Sequence, residues 1–156
     1  MTELSPSIHI RRATIADVPE IVRLLADDIL GQERECYQDP LPQSYYDAFA
    51  DINADHNNYL MVVEQEQHII GTVQMVILTN LSYRGRKRGQ IEGVRIEQTC
   101  RGLGLGKLMI EWCVNKSREL DCHMVQLTMD KKRLKTIEFY KKLGFHDTHE
   151  GLKLLI

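Results

Sequence analysis

A run of glycines and cations at residues 101–107 is the stretch of the sequence with the clearest chemistry. The run consists of Arg101, Gly102, Leu103, Gly104, Leu105, Gly106 and Lys107. Glycine lets the backbone come close to a ligand, and the N–H groups of a first helical turn have no partner inside the helix. With the helix dipole and the two flanking cations, they favour binding of an anion such as pyrophosphate. The alternative is a tight strand-to-helix connection without a ligand.

Two common phosphate-binding motifs do not fit this run. A Walker A loop requires Ser or Thr after its Gly-Lys pair, whereas Gly106 and Lys107 are followed by Leu108. A dinucleotide fingerprint, GxGxxG, that began at Gly102 would need glycine where Lys107 stands. The spacing that fits is R/Q-x-x-G-x-G/A, which residues 101–106 provide.

A second motif accompanies that spacing. Residues 91–96 (IEGVRI) lead into the glycine run, and residues 137–145 (IEFYKKLGF) follow it after a predicted helix and strand. In these motifs, taken in this order, the sequence resembles the GNAT superfamily of acetyl-CoA-dependent N-acetyltransferases over nearly its whole length. The resemblance implies an acyltransferase that uses acetyl-CoA as co-substrate and acetylates a primary amine by direct attack in a ternary complex.

The resemblance also implies a coenzyme site. The strand before the glycine run would pair through its backbone with the pantetheine arm, at Val94, Arg95 and Ile96. The N–H of Ile96 would polarise the thioester carbonyl. The glycine run would hold the pyrophosphate. Arg133 stands where the family commonly has asparagine, and we expect it to bind a coenzyme phosphate instead.

Two residues are candidates for catalysis. Tyr140 matches the family's tyrosine beside the coenzyme sulfur, where a phenol contacts the sulfur and protonates the departing thiolate. The alternative is a core tyrosine, since position 140 also fits the apolar stripe of a predicted helix. Glu92 lies two residues before Val94, so we expect it on the same face of the strand, where partial burial would suit it to take a proton from an ammonium substrate. The alternative for Glu92 is an ion pair or hydrogen bond within the sheet.

The acceptor site is expected between the first two helices, which by the resemblance form its wall. The candidate residues are Asp27, Asp28 and Glu33, with Asp130 after a later strand. Carboxylates suit a cationic small-molecule amine and suit a phosphate-bearing sugar poorly. The alternative is a polar, exposed loop. Two other functions stay open, namely acetylation of a protein N-terminus or lysine and binding of an acyl-CoA by a non-catalytic sensor.

A succession of strands and helices in the order βααβββαβαβ is predicted to position these residues. Strands are expected at 8–12, 59–64, 69–78, 90–97, 123–129 and 152–156. Asp17 is expected to cap the first helix, whose apolar stripe extends to Ile29, and further helices are expected at 43–53, 104–120 and 134–143, the last of them ended by Gly144. Residues 31–42 are expected to form a loop and residues 66–68 a turn. Hairpins in the first half and strand–helix–strand units in the second predict an α/β (α+β) fold with a mixed, mostly antiparallel sheet and helices on both faces. Residues 1–156 are predicted to form one domain.

Composition narrows the class of protein. The net charge of the 156 residues is −2, which argues against a nucleic-acid partner despite the basic turn at 84–88. The apolar runs are too short for a membrane span. Four separated cysteines without a CxxC pair are typical of free thiols in the cytoplasm. His146 and His149 lack further ligands, so no metal is expected. Homodimers are common in the resembled family, and a homodimer stays open.

Overall fold

The computed structural model describes residues 7–156, apart from the side chain of Leu134. It divides into two compact units, with the boundary between Gln126 and Leu127. A single domain over the whole chain therefore stays a prediction. No helix within residues 7–156 is long and apolar enough to cross a membrane.

A five-stranded sheet forms the centre of the first unit. Its strands are β1 (Ile8–Arg12), β2 (Asn58–Gln65), β3 (His68–Thr79), β4 (Lys87–Ile96) and β5 (Cys122–Leu127), in the order β1-β2-β3-β4-β5. The first three pairings are antiparallel. β4 and β5 run in the same direction, since His123 Nδ1 lies 2.7 Å from Lys87 O and Gln126 Nε2 donates to Gln90 Oε1 at 2.6 Å. The mixed, mostly antiparallel sheet is confirmed.

Helices cover both faces of this sheet. They are α1 (Val18–Leu25), α2 (Ile29–Arg34), α3 (Gln43–Ala54), the single turn α4 (Ser82–Gly85) and α5 (Leu105–Glu119). On one face Leu24 and Phe49 share a buried cluster with Val62 of β2. On the other face Ser117 of α5 donates to Met75 Sδ at 3.4 Å. Burying one such large apolar side chain stabilises the fold by about 1.5–3 kcal/mol, so both layers hold the sheet in place.

The β2–β3 hairpin follows from its turn. Glu66 and Gln67 both have positive φ angles, 49° and 67°, as a two-residue type I′ turn requires. This turn matches the right-handed twist of the flanking strands. It fixes the register of β2 against β3, in which Gln65 lies opposite His68, so the predicted hairpin is confirmed.

The segment after α1 differs from its prediction. Residues 31–42 were expected to be a loop and Ile29 to continue the first helix, yet α1 ends at Leu25 and Ile29 begins α2 with its side chain 77% exposed. The physical reason is a cap, since the Asp28 carboxylate accepts a hydrogen bond from Gly31 N–H at 2.6 Å. Gly31 is buried, and a Cβ there would overlap the carbonyl oxygen of Leu25.

The start of α1 also differs. Asp17 was expected to cap this helix, but its carboxylate makes no side-chain hydrogen bond to the turn that follows. It accepts two bonds from the Arg11 guanidinium at 2.7 and 2.9 Å and one from Thr14 N–H at 2.7 Å. The Arg11 guanidinium holds the pKa of Asp17 below its usual range. Asp17 thus ties β1 to the start of α1.

The second unit contains α6 (Leu134–Lys142). Gly144, with φ 92°, ends the helix, and the N–H groups of Gly144 and Phe145 donate to Lys141 O and Tyr140 O at 3.0 and 3.1 Å. This is the Schellman pattern, and it confirms the predicted stop. The strand predicted at 152–156 is wrong, because residues 145–156 form neither helix nor strand. Alternating apolar residues favour a strand only where a neighbouring strand completes its hydrogen bonds.

Candidate active site

A bulge near the end of β4 is the first element of the β4–α5 junction, which we define as residues 93–107. Glu92 lies opposite Gln74 and Arg95 opposite Thr72, so Gly93 and the residue after it together face Val73. Gly93 has φ 58°, the left-handed backbone found at the first position of such bulges. The bulge interrupts the alternation that had placed Glu92 and Val94 on one face.

The bulge is followed by a backbone group that points away from β3. Glu97 N–H donates to Ile70 O at 2.9 Å, while Ile96 lies opposite Gly71. Hydrogen-bonded and non-bonded pairs alternate along an antiparallel ladder. Ile96 is therefore at a non-bonded position, and its N–H and C=O are directed away from β3. Arg101 Nε, which donates to Ile96 O at 3.2 Å, lies on that side.

The glycine run forms an open turn into α5. Gly102 and Gly104 have φ angles of 79° and 85°, and no atom lies within 4 Å of a Cβ built on either. Gly104 is the N-cap residue of α5, and its carbonyl accepts the first helical bond from Leu108 N–H at 3.0 Å. The N–H groups of residues 105–107 thus precede the helical hydrogen-bond ladder. Binding of an anion at this turn stays a prediction.

Two cations flank this turn. Lys107 Nζ lies 3.6 Å from Glu111 Oε1, and both side chains are more than half exposed. Such an exposed pair contributes little, so it leaves the Lys107 charge available to a ligand. Arg101 is also exposed. Leu103, between them, is 72% exposed, so its side chain adds little packing.

A cleft of about 330 Å³ lies beside the C-terminal end of α1, and we call it the α1–α2 cleft. It is lined by Arg23, Ala26, Asp27, Gln32, Glu35 and Tyr37. Gln98 Nε2 donates to Asp27 O at 3.3 Å, and Arg23 lies 3.5 Å from Glu97. These contacts place the cleft next to the residues that directly follow Ile96.

The charged side chains of the α1–α2 cleft differ in whether other side chains already pair with them. Arg23 pairs with Glu20 at 2.8 Å and with Glu97 at 3.5 Å; burial opposes its charge, but these carboxylates outweigh burial and raise its pKa. Glu35 accepts a hydrogen bond from Tyr45 OH at 2.9 Å. Within residues 7–156, the Asp27 carboxylate makes no hydrogen bond or ion pair with another side chain. The cleft therefore offers a carboxylate more readily than a cation.

The other predicted acceptor residues lie elsewhere. Asp28 caps α2, and Glu33 is exposed on that helix and does not line the cleft. In the second unit, Asp130 accepts a hydrogen bond from Lys132 N–H at 2.9 Å and so shapes the turn before α6. Sequence reasoning missed Arg23, whose ion pair with Glu97 joins positions 74 residues apart and leaves no local signal.

The two catalytic candidates differ in burial. Tyr140 is 8% exposed and lies between Phe139 and Phe145, with ring centroids 5.1 and 5.7 Å away. Glu92 is exposed and accepts a hydrogen bond from Gln90 Nε2 at 3.1 Å. Glu92 thus lacks the partial burial that was expected to suit it to direct proton transfer, and only transfer through water stays open to it. Arg133 takes the N-cap position of α6.

Comparison with known proteins assigns the family. The model of the acetyltransferase (GNAT) family matches residues 26–145. The chain therefore belongs to the acetyltransferase (GNAT) family. This confirms the resemblance drawn from the glycine run and from residues 137–145. Among the residues that the structure describes, no group of three or more His, Cys, Asp or Glu is placed to hold a metal ion.

Three relatives show how far the likeness extends. A solved structure described as a transcriptional regulator from Bacillus halodurans C-125 is 43% identical, covering 96% of this chain and 100% of its own, with a TM-score of 0.94. A glucosamine 6-phosphate N-acetyltransferase from Trypanosoma brucei brucei is 35% identical over 86 residues, 55% of this chain and 56% of that protein. The chain spans about half the length of the curated relatives it matches.

A more distant relative was solved with a ligand. It is described as a predicted acetyltransferase from Clostridium acetobutylicum with acetyl-CoA, is 24% identical, covers 96% of each chain and has a TM-score of 0.75. At this identity the likeness concerns the fold, which agrees with the predicted class of a mixed sheet with helices on both faces.

Proposed function

We propose that this protein transfers an acetyl group from acetyl-CoA to a primary amine of a small molecule, by direct attack with both reactants bound. The observation that carries the proposal is the β4–α5 junction. There, the outward N–H of Ile96 and the N–H groups at the start of α5 belong to one continuous segment. Holding both reactants together lowers the entropic cost of reaction.

The β4–α5 junction fits the coenzyme in two ways. The open space over Gly102 and Gly104 admits a pyrophosphate against the N–H groups of residues 105–107, with charge from Arg101 and Lys107. Beside them, the backbone of residues 94–96 offers hydrogen-bonding groups to the amides of a pantetheine arm. Arg133 and Tyr140 stay proposed coenzyme-binding residues, because Tyr140 lies in the family's second motif and Arg133 stands where the family commonly has asparagine.

The proposed chemistry assigns one task to each residue. When bound, acetyl-CoA supplies an acetyl group activated as a thioester. The N–H of Ile96 donates to the carbonyl oxygen of that group and stabilises the charge that develops there. Tyr140 gives its phenolic proton to the leaving sulfur. Glu92, exposed to solvent, accepts the proton of the attacking amine through water.

The α1–α2 cleft is the proposed acceptor site. Asp27 carries a carboxylate without a partner among the described residues, whereas the charge of Arg23 is already balanced by Glu20 and Glu97. We infer that the acceptor is a cationic amine. Glucosamine 6-phosphate, named in the description of the trypanosome relative, is the competing acceptor.

The donor half of the proposal is tested by calorimetry with acetyl-CoA. Gly104→Glu places a carboxylate against the anion site and should weaken binding at least about a hundredfold, which is about 2.7 kcal/mol. Gly85→Glu is the matched control, because Gly85 has a similar φ of 74° and equally open surroundings but lies in α4. Equal affinity of the two variants would refute the pyrophosphate site.

The catalytic roles are tested once an acceptor is found. Tyr140→Phe should lower kcat with little change in the Kd for acetyl-CoA, and Glu92→Gln should lower kcat mainly at low pH, where fewer amines are already neutral. Unchanged kcat in either variant would remove that residue from the chemistry.

The acceptor half is tested by release of the coenzyme thiol over a panel of amines. We expect polyamine-like cations to react faster than glucosamine 6-phosphate. Asp27→Asn should raise the acceptor KM about tenfold and leave the Kd for acetyl-CoA unchanged, and Gln32→Ala serves as a neutral cleft control. Preference for the phosphosugar would overturn the cationic class while leaving the donor site intact.

A second function is favoured by one observation. The 43% identical relative is described as a transcriptional regulator, which suits a protein that binds an acyl-CoA and signals its presence. This alternative predicts acetyl-CoA binding without thiol release on any small amine or peptide. Thiol release with an identified amine would exclude it.

A further inference from the structure

The turn between β3 and β4 is longer and more strained than a hairpin requires. Residues 80–86, which we call the β3–β4 turn, lie between the last paired residue of β3 and the first of β4. Tyr83, Arg84 and Gly85 have successive φ angles of 54°, 62° and 74°. Gly85 N–H donates to Leu81 O at 2.9 Å, which closes one turn of left-handed helix. Such a turn costs roughly 1–2 kcal/mol at each residue other than glycine, and strain of this kind is typical of functional sites.

Contacts with β5 hold the β3–β4 turn in one conformation. The ring of Tyr83 lies against that of His123, with the centroids 4.7 Å apart and the planes inclined by 36°. His123 Nδ1 lies 2.7 Å from Lys87 O, and because a carbonyl oxygen only accepts, Nδ1–H is the donor. His123 thus contacts both the turn and the first residue of β4. The side chains that the turn presents to solvent are therefore preorganised for a ligand.

The turn and the start of β4 carry cations that no carboxylate of the chain neutralises. These cations are Arg84, Arg86, Lys87 and Arg88. Between Glu66 and Glu92 the sequence holds no Asp or Glu, and within residues 7–156 none of the four cations makes an ion pair. In the same range Arg88 Nε is shielded from water and has no hydrogen-bond partner. Because buried donors in folded proteins are normally paired, this guanidinium is suited to a partner from outside the chain.

Two of the guanidinium groups are spaced for neighbouring carboxylates. Arg86 has an extended backbone, with φ −80° and ψ 151°, and Arg88 lies in β4 opposite Leu78. Side chains two residues apart on an extended chain point to the same face and stand about 7 Å from each other. A guanidinium binds a carboxylate through two parallel hydrogen bonds, a geometry that lysine does not offer. An extended segment with an acidic residue at every second position matches this spacing.

Apolar groups beside these cations favour a protein as the partner. Leu81 is 97% exposed and Tyr83 is 54% exposed. Arginine and tyrosine are enriched in the residues that contribute most to protein interfaces, where apolar anchors lie among polar contacts. A nucleic acid follows an extended positive surface, whereas the net charge of this chain is −2. The charge is therefore local, as a short acidic segment requires.

We propose that the β3–β4 turn and the start of β4 form a docking site for an acidic, extended segment of another protein. Two carboxylates of that segment pair with Arg86 and Arg88, and an apolar side chain beside them covers Leu81 and Tyr83. The site shares no residue with the β4–α5 junction or the α1–α2 cleft. The inference is therefore independent of acetyl transfer.

The docking site is tested by selecting random ten-residue peptides from a display library on the full chain. We expect the selected peptides to combine Asp and Glu with an apolar residue and to bind with a Kd on the order of 10 μM. Arg86→Glu should weaken that binding at least about tenfold. Arg118→Glu makes the same change of net charge at an exposed position of α5, so this matched control should bind as the wild type does. Peptides without an excess of acidic residues, or equal losses in the two variants, would overturn the proposal.

Salt and competing anions test the same site without any variant. Raising the salt concentration from about 0.05 M to about 0.5 M should weaken binding of the selected peptides, because it screens exposed charge pairs. A single-stranded RNA of twelve nucleotides and vesicles that contain phosphatidylserine are measured under the same conditions, and both should bind more weakly than the peptides. Tighter binding of the RNA or of the vesicles, or a peptide Kd that does not change with salt, would refute an acidic protein segment as the partner.

Discussion

The β4–α5 junction and the α1–α2 cleft are the two proposed binding sites, and the groups that they offer to a ligand differ in origin. At the junction the groups are backbone N–H, exposed by a bulge at Gly93, an outward-facing Ile96 and two open glycines. In the cleft they are side chains, namely Asp27, Glu35 and an already paired Arg23. A backbone site serves any chain with the same local conformation, whereas a side-chain site depends on each residue. The first suits a coenzyme common to a family, and the second suits an individual acceptor.

Thiol reactivity should show the largest contrast, between the cleft and the buried face of α5, the helix that begins in the junction. Cys113 of α5 is 0% exposed, and burial raises its pKa to about 12, whereas Cys36 beside the cleft is exposed. At pH 8 a pKa of about 12 leaves roughly one thiol in ten thousand ionised, so native Cys113 should react at least about a thousandfold more slowly than Cys36. Peptide mass spectrometry after alkylation measures the reaction rates of both cysteines, and Cys36→Ser is the control. Similar rates would mean that α5 opens as readily as the cleft.

Acid should lower the free energy of unfolding by protonating Asp17, whose bonds to Arg11 hold β1 against the start of α1. Because its pKa is lowered by Arg11, the stabilisation is present above the unfolded pKa and is lost as pH falls through the lower folded value, below about pH 4. Asp17→Asn should cost about 2 kcal/mol at pH 7 and flatten the loss of stability in acid. Urea unfolding of the wild type and of Asp17→Asn, from pH 7 to pH 3, measures the free energy of unfolding at each pH. Parallel curves for wild type and variant would contradict this account.

Removing the cap of α2 should disturb the cleft and spare the junction. Asp28→Ala takes away the acceptor of Gly31 N–H and should cost about 1 kcal/mol of stability. The acceptor KM should rise, while calorimetry should give an unchanged Kd for acetyl-CoA. Asp55→Ala, at the end of α3, is the control. A weaker Kd for acetyl-CoA would show that the two regions are coupled.

The smallest effect is expected inside the glycine run itself. Leu103 stands between Gly102 and Gly104 but is 72% exposed, so Leu103→Ala should change the Kd for acetyl-CoA by less than about twofold, or 0.4 kcal/mol. Calorimetry with acetyl-CoA on Leu103→Ala and on Gly104→Glu compares the two Kd values. A larger loss would mean that the run binds through side chains as well as backbone.

The sequence predicted the junction well because its signals are local. Glycine spacing, the helix of residues 104–120 and the preceding strand all lie within about thirty positions, and each depends on the conformation of its own residues. The bulge at Gly93 escaped prediction, since it is defined by register against β3. Whether Tyr140 and Arg133 contact coenzyme stays a prediction.

The cleft was harder to predict because distant residues build it. The contacts of Arg23 with Glu97 and of Asp27 with Gln98 join positions more than seventy apart. The break after Leu25 depends on one short carboxylate bond at Asp28, in a stretch whose polarity equally suited a loop. Residues 152–156 show the opposite error, since alternation alone cannot supply a strand with a neighbour.

The lack of space around Gly31 affects how amino-acid substitutions in this protein are interpreted. Any larger residue there would overlap the carbonyl oxygen of Leu25, whereas Gly102 and Gly104 have open space around them. In a mutational scan selected for activity, all three positions would be depleted of substitutions and would look equally functional. Selection for abundance alone would deplete position 31 most strongly, because substitutions at Gly102 and Gly104 meet only the strain of their positive φ angles. Depletion at Gly31 therefore reports on folding, and any additional depletion of the glycine run under selection for activity reports on the ligand.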